Sequence, residues 1–203
     1  MMQKLLIGTH NKGKLKEYQE MFAALPLELV GLDEVGLAGF EAEEPADTFA
    51  ENALLKARAY AEAAGMVALG DDSGLCVVAL GGAPGVYSAR YAGKDATDAQ
   101  RRAKLLGELA HLPAGERAAY FMCVTVVYDP HSGQTIEGVG RVDGQIALAE
   151  SNGGYGFGYD PIFIPDGHSV TFGDLPPAVK HPMSHRGRAL EDLRPRLLAW
   201  FSP

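Results

Sequence analysis

Short apolar runs alternate along this chain with stretches whose apolar residues recur at helical spacing, and that alternation does most to restrict the fold. Residues 4–9 (KLLIGT) read as a buried strand. Leu15, Tyr18, Phe22 and Leu25 then follow a helical period until Pro26 closes the segment. Residues 27–32 read as a second strand. Thr48 with Glu51 three residues later spells a capping box. Phe49, Ala53, Ala57, Tyr60 and Ala64 mark one buried helix face, and Gly65 ends it. Residues 66–69 (MVAL) return to a strand that ends in the loop Gly70-Asp71-Asp72-Ser73-Gly74. Residues 98–109 read as a helix capped by Thr97 or Asp98. Residues 119–128 and 135–141 form a hairpin around the turn at 129–133, with Asp143-Gly144 as a further turn. A glycine-aromatic loop at 152–160 precedes the apolar run 162–164. The last helix starts near Ser184 and packs through Leu190, Leu193, Leu197 and Phe201, with Pro195 kinking or restarting it. No repeat of 20–50 residues is present. This order of elements is that of one α/β domain spanning 1–203, long enough to bury its own core.

Charge excludes whole classes of partner. With 26 acidic against 18 basic residues the net charge is −8, and no Lys/Arg run exceeds Arg101-Arg102, so the chain lacks the basic face that duplex nucleic acid requires. A polyanionic ligand must therefore meet a local basic pocket or a metal ion. No apolar run is long enough to span a membrane, and the start MMQKLLIGTHNKGK is too short in apolar residues for a secretory signal. Cys76 and Cys123 stand outside any CxxC context and read as small buried hydrophobes of a reducing cytoplasm. Glycine is abundant, 25 residues, and clusters at 81–85 and 153–158, as where backbone approaches a ligand.

Four constellations carry chemistry. The turn Thr9-His10-Asn11-Lys12-Gly13-Lys14 joins a strand to a helix N-terminus, whose free N–H groups and lysine charges suit a phosphate. Gly8 to Lys14 also spells most of a P-loop, but Leu15 stands where that loop needs Ser or Thr to hold magnesium, so a metal must be held elsewhere. Glu43-Glu44 and Asp71-Asp72 supply hard oxygen ligands of the kind Mg²⁺ takes. Adjacent Asp71 and Asp72 face opposite sides of an extended backbone, which gives them different jobs. Asn52 and Lys56, four residues apart, share a helix face, where Lys56 can reach a carboxylate or a phosphate. Finally, Phe157-Gly158-Tyr159-Asp160, Lys180 and Ser184-His185-Arg186 combine stacking surface with donors for a nucleobase. Taken singly, each also fits an ordinary turn, helix start or core position.

Their order along the chain is specific. The blocks THNKGK (9–14), TFAENALLKA (48–57), DDSGL (71–75), GAPGVYSARY (82–91), FGYDP (157–161) and SHR (184–186) make the sequence resemble the inosine triphosphate pyrophosphatase family from about residue 4 to residue 200. The resemblance implies an α/β fold with an elongated mixed sheet flanked by helices, two lobes and an active-site cleft between them, in a homodimer. It implies Mg²⁺-dependent hydrolysis of ITP, dITP and XTP to monophosphate and pyrophosphate. Carried onto this chain, Thr9, His10, Asn11, Lys12, Gly13 and Lys14 cradle the triphosphate, although His10 stands where a small residue is common. Asp72 is proton acceptor and metal ligand, Asn52 and Lys56 belong to the catalytic set, and Glu44 or Glu43 shares the metal. Ser73 contacts substrate, and Phe157, Gly158, Tyr159, Asp160, Lys180, His185 and Arg186 build the base and phosphate pocket. The competing readings are a P-loop NTPase that releases γ-phosphate and a nucleotide-binding module without turnover.

Overall fold

The computed structural model describes residues 3–201. In chain order the elements are β1 (Gln3–Gly8), α1 (Lys12–Phe22), β2 (Leu27–Val30), α2 (Phe49–Ala64), β3 (Ala68–Val77), α3 (Asp98–Glu108), β4 (Ala118–Tyr128), β5 (Thr135–Ile146), β6 (Phe163–Pro165), α4 (Pro177–Met183) and α5 (His185–Trp200). The strands form one mixed sheet in the order β2-β1-β3-β4-β5-β6. β1 pairs in parallel with β2 and with β3, and β5 pairs antiparallel with β6. The expected α/β class with a mixed sheet flanked by helices is met.

The chain divides into two compact units. The first comprises residues 1–72, 123–140 and 186–203, and the second residues 73–122 and 141–185. In the first unit the alternation of strand side chains sorts the helices by face. Leu6 and Ala68 pack with Tyr60 and Ala61 of α2, and Val124 and Val126 with Ala53 and Ala57. Their sequence neighbours Leu5, Ile7, Leu69 and Val127 pack instead with Tyr18 and Phe22 of α1 and Leu190, Leu193 and Leu197 of α5. A period of two in the strands thus meets a period of 3.6 in the helices on each face. The core of the second unit gathers Leu75, Val77, Phe121, Phe163 and Phe172 around Leu105 and Leu109 of α3.

Several local expectations need correction. The Gly70–Gly74 stretch is not a loop, because β3 runs straight through it, burying Asp71 and Asp72 inside a strand. Asp143-Gly144 likewise lies within β5 rather than at a turn; a side chain at Gly144 would collide with the β6 backbone at Ile164 and Pro165, so this glycine serves close strand pairing. Thr48 caps α2 by accepting from the Glu51 amide, but the Glu51 carboxylate takes the Thr48 hydroxyl at 2.7 Å, not its backbone N–H, so only half of the box forms. A full box forms at α3, between Thr97 and Gln100. α5 continues through Pro195, and α4, with two prolines among its seven residues, went unread in the sequence.

Candidate active site

The phosphate-type turn is built as the sequence suggests, with its side chains occupied in shaping it. Asn11 is the N-cap of α1, its Oδ1 accepting from the Lys14 amide at 3.1 Å, while its own amide donates to Thr9 Oγ1 at 3.1 Å. His10 is exposed and its Nε2 donates to the Phe40 carbonyl at 2.7 Å, tying the turn to the segment that follows β2. Lys12, Gly13 and Lys14 form the first helical turn, where amides have no partner within the helix. Leu15 is packed against the core of α1 and α5, which removes the P-loop reading at the position where it needs a hydroxyl.

Lys14 reaches inward. Its Nζ lies 2.6 Å from Asp71 Oδ1, and the other oxygen of Asp71 accepts from Tyr18 Oη at 2.7 Å, Arg186 Nε at 2.8 Å and the Cys123 thiol at 3.4 Å. Arg186 also pairs with Glu17 at 2.5 Å. Burial alone would raise the Asp71 carboxyl, but the Arg186 and Lys14 cations outweigh it and hold it well below the ordinary range. Burial and the Asp71 charge push the Tyr18 phenol well up, so it stays a neutral donor. Arg186, expected at the base and phosphate pocket, is therefore found with a guanidinium only 1% exposed, engaged by Asp71 and Glu17.

The opposite face of the same strand carries a second cluster. Gly70 precedes the two aspartates, and a Cβ there would collide with the Ala53 carbonyl oxygen and the Ala57 amide of α2. Because Gly70 is bare, α2 lies directly on β3 and brings Asn52 and Lys56 onto Asp72. Lys56 Nζ sits 3.0 Å from Asp72 Oδ1, 2.9 Å from Glu44 Oε2 and 3.2 Å from the Asp71 carbonyl oxygen. Lys14 Nζ approaches that same carbonyl at 3.4 Å. Asn52 donates from Nδ2 to Asp72 Oδ2 at 3.3 Å and exchanges two hydrogen bonds with the backbone of Ala46, which latches the acidic segment to α2. This latch brings Glu44 to Lys56 and Asp72, whereas Glu43, next to it, is exposed and has no ion pair to the cluster among the described residues.

Electrostatics distinguish the two aspartates. Burial raises Asp72, and the Lys56 and Lys14 charges pull against it without cancelling it, so its carboxyl stays above the ordinary value. Burial would lower Lys56, but Asp72 and Glu44 overcome it and raise the ammonium, which stays charged. A basic carboxylate beside fixed cations is what a proton acceptor requires. No set of three or more His, Cys, Asp or Glu gathers into a metal cage among the described residues. Glu44 and Asp72 already flank one cation, the Lys56 ammonium, and two carboxylates are what Mg²⁺ takes from protein when waters and substrate phosphates complete its shell. The donor set fits such an ion.

The remaining expected residues lie in the second unit. Ser73 follows on β3, half-buried. Asp160 accepts from the Phe157 amide at 2.8 Å and pairs with Lys180 of α4 at 2.6 Å, both charges almost wholly buried. Lys180 Nζ also lies 5.4 Å from the Phe157 ring centroid. Tyr159 is buried, with its hydroxyl donating to the Ser88 carbonyl at 3.0 Å. His185 stacks on Phe121 with ring centroids 4.6 Å apart and planes 12° from parallel. Glu17 was not singled out in the sequence, and Tyr18 and Cys123 read there as buried hydrophobes rather than as partners of Asp71. Tyr18 reads as core, and only the opposite facing of Asp71 from Asp72 hints that Asp71 must find cations on the other side of the sheet.

The fold and the paired clusters define an α/β protein with a carboxylate–lysine site beside an anion-type turn. The chain belongs to the Ham1 family, whose model matches residues 5–196. It is 47% identical to a dITP/XTP pyrophosphatase of Leifsonia xyli subsp. xyli over 100% of this chain and 99% of the relative, and 43% identical to one of Haemophilus influenzae over 97% and 100%. Among solved structures, a HAM1 protein from Coxiella burnetii superposes with a TM-score of 0.85 at 40% identity, covering 98% of this chain and all of that one.

Proposed function

We propose that the whole chain, 1–203, works as one nucleoside triphosphate pyrophosphohydrolase that converts dITP, ITP and XTP to the monophosphate and pyrophosphate. Its full-length relatives bearing that name support the substrate class. The observation that carries the reading is the meeting of Lys14 and Lys56 at the carbonyl oxygen of Asp71, with Asp72 beside them. Two fixed ammonium groups and one basic carboxylate answer the needs of attack by water on the α-phosphorus.

In this reading Asp72 orients the water through its carboxylate and accepts its proton. Lys14 and Lys56 offset charge on the phosphate oxygens and on departing pyrophosphate. The amides of Lys12 and Gly13, with Thr9, His10 and Asn11 shaping the turn and the Lys14 ammonium beside them, bind the triphosphate. Asn52 keeps Asp72 and the Glu44 segment in register. Glu44 and Asp72, rather than exposed Glu43, would hold Mg²⁺, which supplies charge neutralisation of the phosphates when bound. Ser73 and the Phe157–Asp160 loop, with Lys180 and His185, serve the purine, and Arg186 acts on Asp71 from within. A donor aimed at the C6 position donates to the carbonyl of hypoxanthine or xanthine and opposes the amino group of adenine. An unmatched pair of donors costs about 1–3 kcal/mol, roughly fivefold to 150-fold in affinity. A homodimer working in the cytoplasm belongs to the same proposal.

The test is a panel of nucleoside triphosphates with Mg²⁺, with products separated by chromatography. Monophosphate and pyrophosphate from dITP, ITP and XTP, and little turnover of ATP, are expected. Diphosphate and inorganic phosphate would favour a γ-phosphatase, and absence of turnover a binding module. Asp72→Asn is expected to lose turnover by about 10³-fold, the scale of a general base, while its melting temperature holds; near-normal rates would remove Asp72 from the role.

A further inference from the structure

The loop that carries Phe157 is gripped from a helix that no motif marked. Gly158 sits at φ +60, a conformation that favours glycine, and both polar groups of its backbone are taken by α3. Its amide donates to Asp98 Oδ2 at 2.9 Å, and its carbonyl accepts from Arg102 Nη1 at 2.7 Å. The other terminal nitrogen of Arg102 pairs with Glu150 at 2.6 Å. One planar guanidinium thus bridges the two ends of the 150–158 segment, drawing them to the first turns of α3. From below, Asp160 holds the Phe157 amide. The peptides on either side of Phe157 are therefore both held, one by Asp160 and one by Asp98, and with them the ring that the resemblance assigns to the base.

We infer that Arg102 and Asp98 are positioning residues for purine recognition, acting through Gly158 on the orientation of Phe157. The inference rests on the proposed function, in which this loop meets the base. Fixing a loop before the ligand arrives lowers the ordering cost of binding, and the same contact persists unchanged through the reaction. Removing it therefore weakens ground state and transition state alike, which raises KM and spares kcat. The guanidinium fork matters because two acceptors lie on different parts of the segment, and a lysine reaches one at a time.

The experiment compares Arg102→Met, Arg102→Lys and Phe157→Ala in steady-state hydrolysis of dITP, with inhibition by inorganic tripolyphosphate as a probe of the phosphate site alone. Arg102→Met is expected to raise KM about tenfold, the loss of charge-assisted bonds, with kcat within about twofold and tripolyphosphate inhibition unchanged. Arg102→Lys is expected to recover part of the KM. A fall in kcat at unchanged KM, or wild-type values of both in folded Arg102→Met, overturns the inference. Should Arg102→Met not fold, Asp98→Ala, which leaves the Gly158 amide without its acceptor, carries the same expectation. Phe157→Ala separates the two levels. If it raises KM while the Arg102 variants do not, the clamp alone is refuted. If it leaves KM unchanged, the loop does not read the base, and both readings fall.

Discussion

Gly70→Ala tests whether the contact between α2 and β3 sets the site. The added Cβ would meet backbone atoms, the Ala53 carbonyl oxygen and Ala57 amide, with the Ala57 Cα at 3.0 Å, so no side chain can swing away to receive it. Carbon contacts settle near 3.5 Å or beyond, and α2 must withdraw by on the order of 1 Å. Overpacking of this kind costs about 3 kcal/mol at the upper end, and the stiffer unfolded chain returns about 0.5–1 kcal/mol, leaving a net loss of about 2 kcal/mol. For a chain of this size that lowers Tm by roughly 4–8 °C. The larger consequence is catalytic, because Asn52 and Lys56 ride on α2 and meet Asp72 at 3.3 and 3.0 Å. A misplacement of 1 Å costs about 10²-fold in rate. Gly65→Ala is the control. Gly65 sits at φ +64 with open space around it, so alanine there strains the α2 cap by about 1–2 kcal/mol without moving the helix along β3. Pyrophosphate release and thermal melting of both variants are the assay. If Gly70→Ala melts lower yet keeps kcat/KM within about threefold of wild type, α2 placement does not govern the site.

Further perturbations separate the two aspartates. Lys56→Met removes the cation that pulls Asp72 downward, so its carboxyl rises further and the acid limb of the kcat/KM profile moves to higher pH. A limb at its wild-type position would show that Asp72 is not the titrating group. Asp71 is depressed in the fold, so its stabilisation is complete above the ordinary value of 3.8 and is lost as pH falls below it through the folded value. Asp71→Asn is expected to lose about 3–5 kcal/mol at neutral pH, since Arg186 keeps its charge inside, and to flatten the fall of Tm below that pH. An unchanged acid slope would refute the assignment.

The sequence displayed the site better than it displayed the backbone that bears it. Strand–helix alternation, the Thr48 cap and the anion-type turn were legible because each is a local device, set by residues a few positions apart. That Asp71 and Asp72 face opposite sides and meet different partners followed from strand geometry alone. What could not be read is what depends on distant partners. Glycine, aspartate and serine in sequence signal a turn, and tertiary packing overrides that signal when α2 needs a bare Gly70 and buried cations await both carboxylates. Arg186 looked like a ligand for a base because nothing in its own neighbourhood announces Glu17 and Asp71, 169 and 115 residues away. Arg102 drew no reading of its own beyond the short Arg101-Arg102 run for the same reason, since Gly158 is 56 positions downstream.

The two-residue rhythm of β3 leaves its middle intolerant of any change in reading frame. One extra residue between Leu69 and Gly70 would turn every following side chain over. Asp71 would be handed to Lys56, Asp72 to Arg186, and α2 would find the inserted side chain where it now rests on bare backbone. Loops elsewhere in the chain can lengthen or shorten in evolution, but this strand can change only by substitution, in place.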